Sequence, residues 1–170
     1  MTLHWVPATE RIDLLADPVA HVVTNMGGVE VTEIDPGLAD TAEFCERYGV
    51  TLDESANCVV VAAKRGGETR YAACMVLATM KIDVNGVVRR HLDARKTSFA
   101  PMADAVELTG MEYGGITPLG LPDDWPILVD THVAEHPKVV IGSGVRRSKL
   151  AVSGATLAGL KRAEVLSLAG

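Results

Sequence analysis

The feature that most limits the fold is a pair of apolar runs joined by a double-glycine turn. Asn57-Cys58-Val59-Val60-Val61-Ala62-Ala63 is rich in β-branched residues and reads as a buried strand. Lys64-Arg65-Gly66-Gly67-Glu68 is a polar turn, and a second apolar run follows over 70–79. Two such runs around a Gly-Gly turn predict a β-hairpin. Period-two alternation over 28–34 predicts a half-buried strand, and further short strands are expected at 97–99, 127–129, 138–141, 149–152 and 165–168. Helical spacing appears at 41–48, where Asp40 can cap and Gly49 can stop the helix. A second helix is expected at 84–94 after Asp83. A third runs from Pro101 to Gly110, and a short one from Ser153 to about 160. A helix at 9–16 would start at Thr9 and end before Pro18. Strands and helices alternate irregularly, without repeats or linkers. That order argues for an α+β (mixed α/β) class, a mixed sheet flanked by helices, in one domain over residues 1–170. Only two Trp, three Tyr and two Phe are present, so the core must be aliphatic.

Charge narrows the function. The chain carries a net −6, with 16 basic and 22 acidic residues. Residues 1–54 hold eleven acids and two bases, residues 55–100 three acids and eight bases, and residues 101–170 eight acids and six bases. The middle is therefore cationic inside an acidic chain. This balance speaks against a general nucleic-acid binder, yet it can form a local phosphate-binding face. Cys45, Cys58 and Cys74 are irregularly spaced, and the five histidines lack metal-ligand spacing, so neither a zinc site nor any cofactor is expected. No apolar run approaches membrane-spanning length, and Met1-Thr2-Leu3-His4-Trp5 does not open a secretory signal, so the cytoplasm is the expected location.

The most unusual stretch is Gly114-Gly115-Ile116-Thr117-Pro118-Leu119-Gly120-Leu121-Pro122. Bare backbone admits a ligand closely, and successive N–H groups can face an anion or oxyanion, although tight turns need glycine too. Gly142-Ser143-Gly144 follows an apolar strand and can border the same pocket. Arg146, Arg147 and Lys149 come next and can hold phosphate.

The chain resembles the YbaK/EbsC family, free-standing relatives of the editing domain inserted in bacterial prolyl-tRNA synthetases. The resemblance is clearest over 41–168. It runs through Asp40-Thr41-Ala42, Tyr48-Gly49-Val50, Cys58-Val59-Val60-Val61, Asp83-Val84-Asn85, Ala94-Arg95-Lys96 and Ser98-Phe99-Ala100. Its strongest part is Leu108-Thr109-Gly110 followed by Gly114-Gly115-Ile116-Thr117-Pro118-Leu119-Gly120, then Leu128-Val129-Asp130 and Ile141-Gly142-Ser143-Gly144. The resemblance implies a curved, barrel-like mixed sheet with helices around it. It also implies hydrolysis of the ester joining a wrong amino acid to the 3′ end of tRNA. Partners implied by the resemblance are the acylated tRNA end and, by association, an aminoacyl-tRNA synthetase.

On this reading Gly114 and Gly115 supply backbone N–H groups for an oxyanion and a positioned water. Ile116, Thr117, Pro118, Gly120, Gly142, Ser143, Gly144 and Lys149 bind substrate. The family usually carries a lysine just before the apolar strand that enters the pocket. Here that position is Asn57, which can donate a hydrogen bond but has no charge. Lys64, Lys81 or Lys149 are the lysines that can take over from another strand. Asn57 also keeps open a different class of function, a catalytically inactive module that binds an acylated tRNA end or a related small ligand. Asp130 is a candidate for either catalysis or a turn cap. Substituting Gly115 is expected to remove activity without unfolding the chain.

Overall fold

The protein is described by a computed structural model over residues 2–169. Gly66 and Gly67 take φ of +59° and +82°, the conformation a two-residue hairpin turn with right-handed strand twist demands. They join the two longest strands, ten residues each, in register from Ala56 opposite Leu77 to Arg65 opposite Glu68. In chain order the strands are β1 (Val6–Pro7), β2 (Glu30–Glu33), β3 (Ala56–Arg65), β4 (Glu68–Leu77), β5 (Lys96–Phe99), β6 (Ile127–Asp130), β7 (Val139–Gly142), β8 (Ser148–Val152) and β9 (Ala163–Leu166). The α-helices are α1 (Asp17–Val23), α2 (Thr41–Tyr48), α3 (Arg89–His91), α4 (Met102–Thr109), α5 (Thr131–Ala134) and α6 (Gly154–Ala158).

The mixed strands flanked by helices agree with the expected α+β class, and they are arranged as two sheets. A five-stranded mixed sheet has the order β5-β3-β4-β6-β9, with β6 parallel to both β4 and β9. A four-stranded antiparallel sheet has the order β1-β2-β8-β7. They meet where Ser55, just ahead of β3, bridges Val140 of β7, and no closed barrel results. The main core lies between the sheets and includes Met75, Val129, Ile141, Leu150 and Leu157. The opposite face of the larger sheet buries Val61, Cys74, Val76 and Leu128 under Val84, Val88 and Leu168. Burial on both faces explains why β3 and β4 read as continuous apolar runs without alternation. Each fully buried Leu or Met contributes about 1.5–3 kcal/mol.

Several boundaries differ from expectation for local reasons. Residues 9–16 form only 3-10 turns, and Pro18 opens α1 in place of ending a helix, because its missing N–H costs nothing in a first turn. Asp83 accepts from the N–H groups of Gly86 and Val87, as a cap should, but the helix it starts is a π-turn, Val84–Val88, running into α3. Asp40 precedes α2 yet makes no side-chain cap, since its carboxylate is engaged elsewhere. Gly49 and Gly110 stop α2 and α4 in the left-handed conformation. No helix among the described residues is long and apolar enough to cross a membrane.

Candidate functional site

A cleft of about 340 Å³ opens at the seam between the sheets. There Ser55, directly before β3, bridges Val140 of β7, while Asn57 and Cys58 stay paired with β4 and are only partly buried. The walls of the cleft come from five places. Ala56, Asn57, Cys58 and Val59 start β3, and Val140, Ile141 and Gly142 belong to β7. Asp40, Thr41 and Phe44 come from the start of α2, and Tyr113, Gly114 and Ile116 from the glycine-rich loop. Lys149 of β8 completes the lining.

Gly142 is small for a reason visible here. A Cβ on it would sit 2.5 Å from the Gly115 carbonyl oxygen and 2.9 Å from that of Ile116. The loop is thus laid directly on β7, and the Gly144 N–H donates to the Gly115 carbonyl (2.6 Å). Gly115 is spoken for in the same way. Its N–H donates to the Glu112 carbonyl, and its open Cβ position faces the Val145 backbone at 2.7–2.9 Å. The N–H groups of Gly114 and Ile116 donate to no protein acceptor among the described residues.

Lys149 is the charged centre of the cleft. It is only 7% exposed, and its Nζ stands 5.2 Å from the centroid of the Phe44 ring, a cation–π contact. No carboxylate among the described residues pairs with it at ion-pair distance. Burial lowers its pKa from the usual 10.5 to about 8, opposed by Cys45 and Asp40 and reinforced by Arg146. A buried cation without a partner is costly, and anion binding beside it would relieve that cost.

Asn57 lines the same cleft. Its carboxamide oxygen accepts from the Thr41 hydroxyl (2.7 Å), which leaves the NH₂ end to donate. Arg146 holds the rim. Its guanidinium donates to Asp40 Oδ1 (3.0 Å), the Pro36 carbonyl (3.2 Å) and the Tyr113 carbonyl (3.4 Å), and its N–H to Glu112 (2.7 Å). These bonds tie the entry to α2 to the loop at Gly114, where a Cβ would run into Arg146 itself. Arg147 is likewise occupied, donating to the Asp13 carbonyl (2.6 Å). Of the three cations that follow β7, only Lys149 lines the cleft.

The structure therefore brings together Asn57, Gly114, Ile116, Gly142 and Lys149, and it does not bring the other named residues into the cleft. Gly115 packs on Val145, as above. Thr117 is fully buried, its hydroxyl without a partner among the described residues. Pro118 and Gly120 line a separate hollow on the far side of the loop, beside His21 and Leu160. Ser143 is buried and donates to the Ser148 carbonyl (3.0 Å), and Gly144 packs against Ala16 and Val19. Asp130 is a cap. Its carboxylate accepts from the N–H of His132 (3.0 Å) and of Leu168 (2.9 Å).

The sequence reading gave no site role to Thr41, Phe44 or Tyr113. Thr41 and Phe44 lie in the helical stretch 41–48, and Tyr113 adjoins the glycine pair at 53% exposure, so none carries a sequence signal of its own. Cys58 and Cys74 offer no nucleophile. Burial pushes the Cys58 thiol far above the usual range, and that of Cys74 up to about 12. No cluster of metal-ligating side chains occurs among the described residues.

Residues 35–160 match a family model described as an aminoacyl-tRNA editing domain. None of the curated protein sequences compared matches the chain. Among solved structures, a candidate trans-editing enzyme for prolyl tRNA synthetase superposes with a TM-score of 0.78 at 21% identity, over 91% of this chain and 96% of that one. A scaffold protein used in epitope backbone grafting superposes with a TM-score of 0.78 at 20% identity, over 91% and 97%. A hypothetical protein does so with a TM-score of 0.73 at 21% identity, over 82% and 90%. At such identities these structures establish a shared fold.

Proposed function

Because the chain belongs to the aminoacyl-tRNA editing domain family, we propose that its seam cleft deacylates mischarged tRNA with Lys149 as the cation that receives the acylated 3′ end. The observation that carries this reading is Lys149 itself, buried, without an ion-pair partner among the described residues, and facing a cleft whose other lining is part polar and part apolar. A terminal phosphate of the tRNA offers the charge that Lys149 lacks. Asn57, held by Thr41, points its amide donors at the substrate. The N–H groups of Gly114 and Ile116 are the candidate donors to the oxyanion.

Hydrolysis then needs little more than position. A water oxygen attacks the ester carbonyl carbon, the carbonyl oxygen becomes the oxyanion, and the ribose oxygen leaves with the proton the water gave up. A neighbouring ribose hydroxyl of the substrate can relay that proton, so the cleft needs no triad. Positioning alone is worth several kcal/mol when reacting atoms are held in line. A cleft of this kind acts as the second sieve that a synthetase needs when side chains differ by a methylene or less. We place the reaction in the cytoplasm, with charged tRNA as substrate and a synthetase as the source of the error.

The test is deacylation of a panel of correctly and wrongly charged tRNAs by the purified chain. Faster hydrolysis of one mischarged species than of its correct counterpart is expected. Hydrolysis of none would leave the cleft as a binding site only.

A further inference from the structure

Four of the eight cations of the middle segment, Lys64, Arg65, Arg95 and Lys96, gather at one end of the larger sheet. Lys64 of β3 and Lys96 of β5 are directly opposite each other in register, and both are exposed. Like charges so placed on neighbouring strands are destabilising, and neither pairs with a carboxylate at ion-pair distance among the described residues. Arg95 is exposed beside them, and Arg65 holds Asp93 at 3.0 Å. A shallow hollow at the hairpin tip is lined by these four cations, by Gly66, Gly67 and Thr69, and by a single acid, Glu68. Outside residues 55–100 the chain is strongly acidic, −6 − 5 = −11. A polyanion that approaches the protein finds this face attractive and most others repulsive.

We infer that the β3–β4 hairpin tip and the adjoining end of β5 dock the phosphate backbone of the tRNA stem whose acylated end enters the seam cleft. The inference rests on the deacylase reading for the identity of the RNA and extends it to where the body of the RNA lies. Strand geometry supplies the distance. Asn57 at the cleft and Lys64 at the tip are seven residues apart on one strand, about 23 Å at a strand's rise of about 3.3 Å per residue. At about 3.4 Å per phosphate along one strand, roughly seven nucleotides from the reacting end fall within that span. The hairpin therefore meets the stem while the cleft holds the tip. Its uncompensated lysine pair fits a site kept for an anion.

The experiment compares wild type with the double variant Lys64→Thr/Lys96→Thr, both positions being exposed and remote from the cleft. Uncharged tRNA is titrated at several salt concentrations, alongside a trinucleotide ending in CCA that can fill the cleft alone. The variant should bind tRNA about tenfold more weakly, with a log–log salt slope shallower by about 1–2, and bind the trinucleotide as wild type does. Unchanged tRNA affinity and slope would overturn the proposal, and so would an equal loss for the trinucleotide. The deacylase reading fails by a different result, in which wild type binds tRNA through Lys64 and Lys96 yet hydrolyses no charged tRNA.

Discussion

Replacing Lys149 by methionine should make the folded chain more stable and a poorer catalyst at once. Methionine keeps the length and volume of the side chain without its charge. A fall in pKa from 10.5 to about 8 corresponds to about 3 kcal/mol of cost for keeping the charged form buried. Loss of the Phe44 contact returns about 1 kcal/mol. The net gain at pH 7 is about 2 kcal/mol, a rise of about 4–8 °C in Tm for a chain of this length. Its pH dependence identifies the cause. Because the folded-state pKa is the lower one, the unfolded chain binds more protons between pH 8 and 10.5, so wild-type stability rises across that window. The advantage of Lys149→Met is full below pH 8 and vanishes towards pH 10.5. Calorimetric melts at pH 7 and pH 9.5 read it directly. A variant less stable than wild type at pH 7, by a margin that does not change with pH, would refute the reasoning.

Four further outcomes follow from the same geometry. KM for charged tRNA should be flat from pH 6 to 7.5 and climb above pH 8, as Lys149 in the free enzyme loses its proton; a flat KM to pH 9.5 would separate Lys149 from binding. Gly142→Ala puts a Cβ into the Gly115 and Ile116 carbonyls, and overpacking of this kind costs about 1–3 kcal/mol, so both Tm and deacylation should fall. Asp130→Ala removes the acceptor for the N–H groups of His132 and Leu168, and should cost about 1–3 kcal/mol in denaturant melts while kcat stays close to wild type. Cys58→Ala should deacylate at close to the wild-type rate, since a thiol so strongly held protonated is no nucleophile; loss of turnover would revive it as one.

The hairpin, the stops at Gly49 and Gly110, and the cap at Asp83 were legible because each rests on residues adjacent in sequence. The two-sheet arrangement was not. Parallel pairing of β6 with β4 and β9 joins segments with long separations, and nothing in the apolar run at 127–129 names its neighbours. The site was half legible for the same reason. Gly114 and Gly142 stood out because bare backbone is conspicuous in sequence. Gly115, Gly120 and Gly144 looked alike there, and close packing requires all five to be small, but only Gly114 and Gly142 also line the cleft. Lys149 could be named as one of three lysines, but only the pairing of β8 with β7 carries it to the mouth of β3. Arg146 and Arg147 precede it by three and two residues and turn instead to Asp40 and Asp13.

That one buried cation serves the cleft, whichever strand supplies it, is tested most directly by moving it. Single-turnover deacylation of the preferred mischarged tRNA would be measured for wild type, Lys149→Met, and Lys149→Met/Asn57→Lys. Loss of a charged contact worth about 2 kcal/mol should slow Lys149→Met roughly 30-fold, and the lysine placed at position 57 should restore most of that rate. A Lys149→Met protein as fast as wild type would contradict the account.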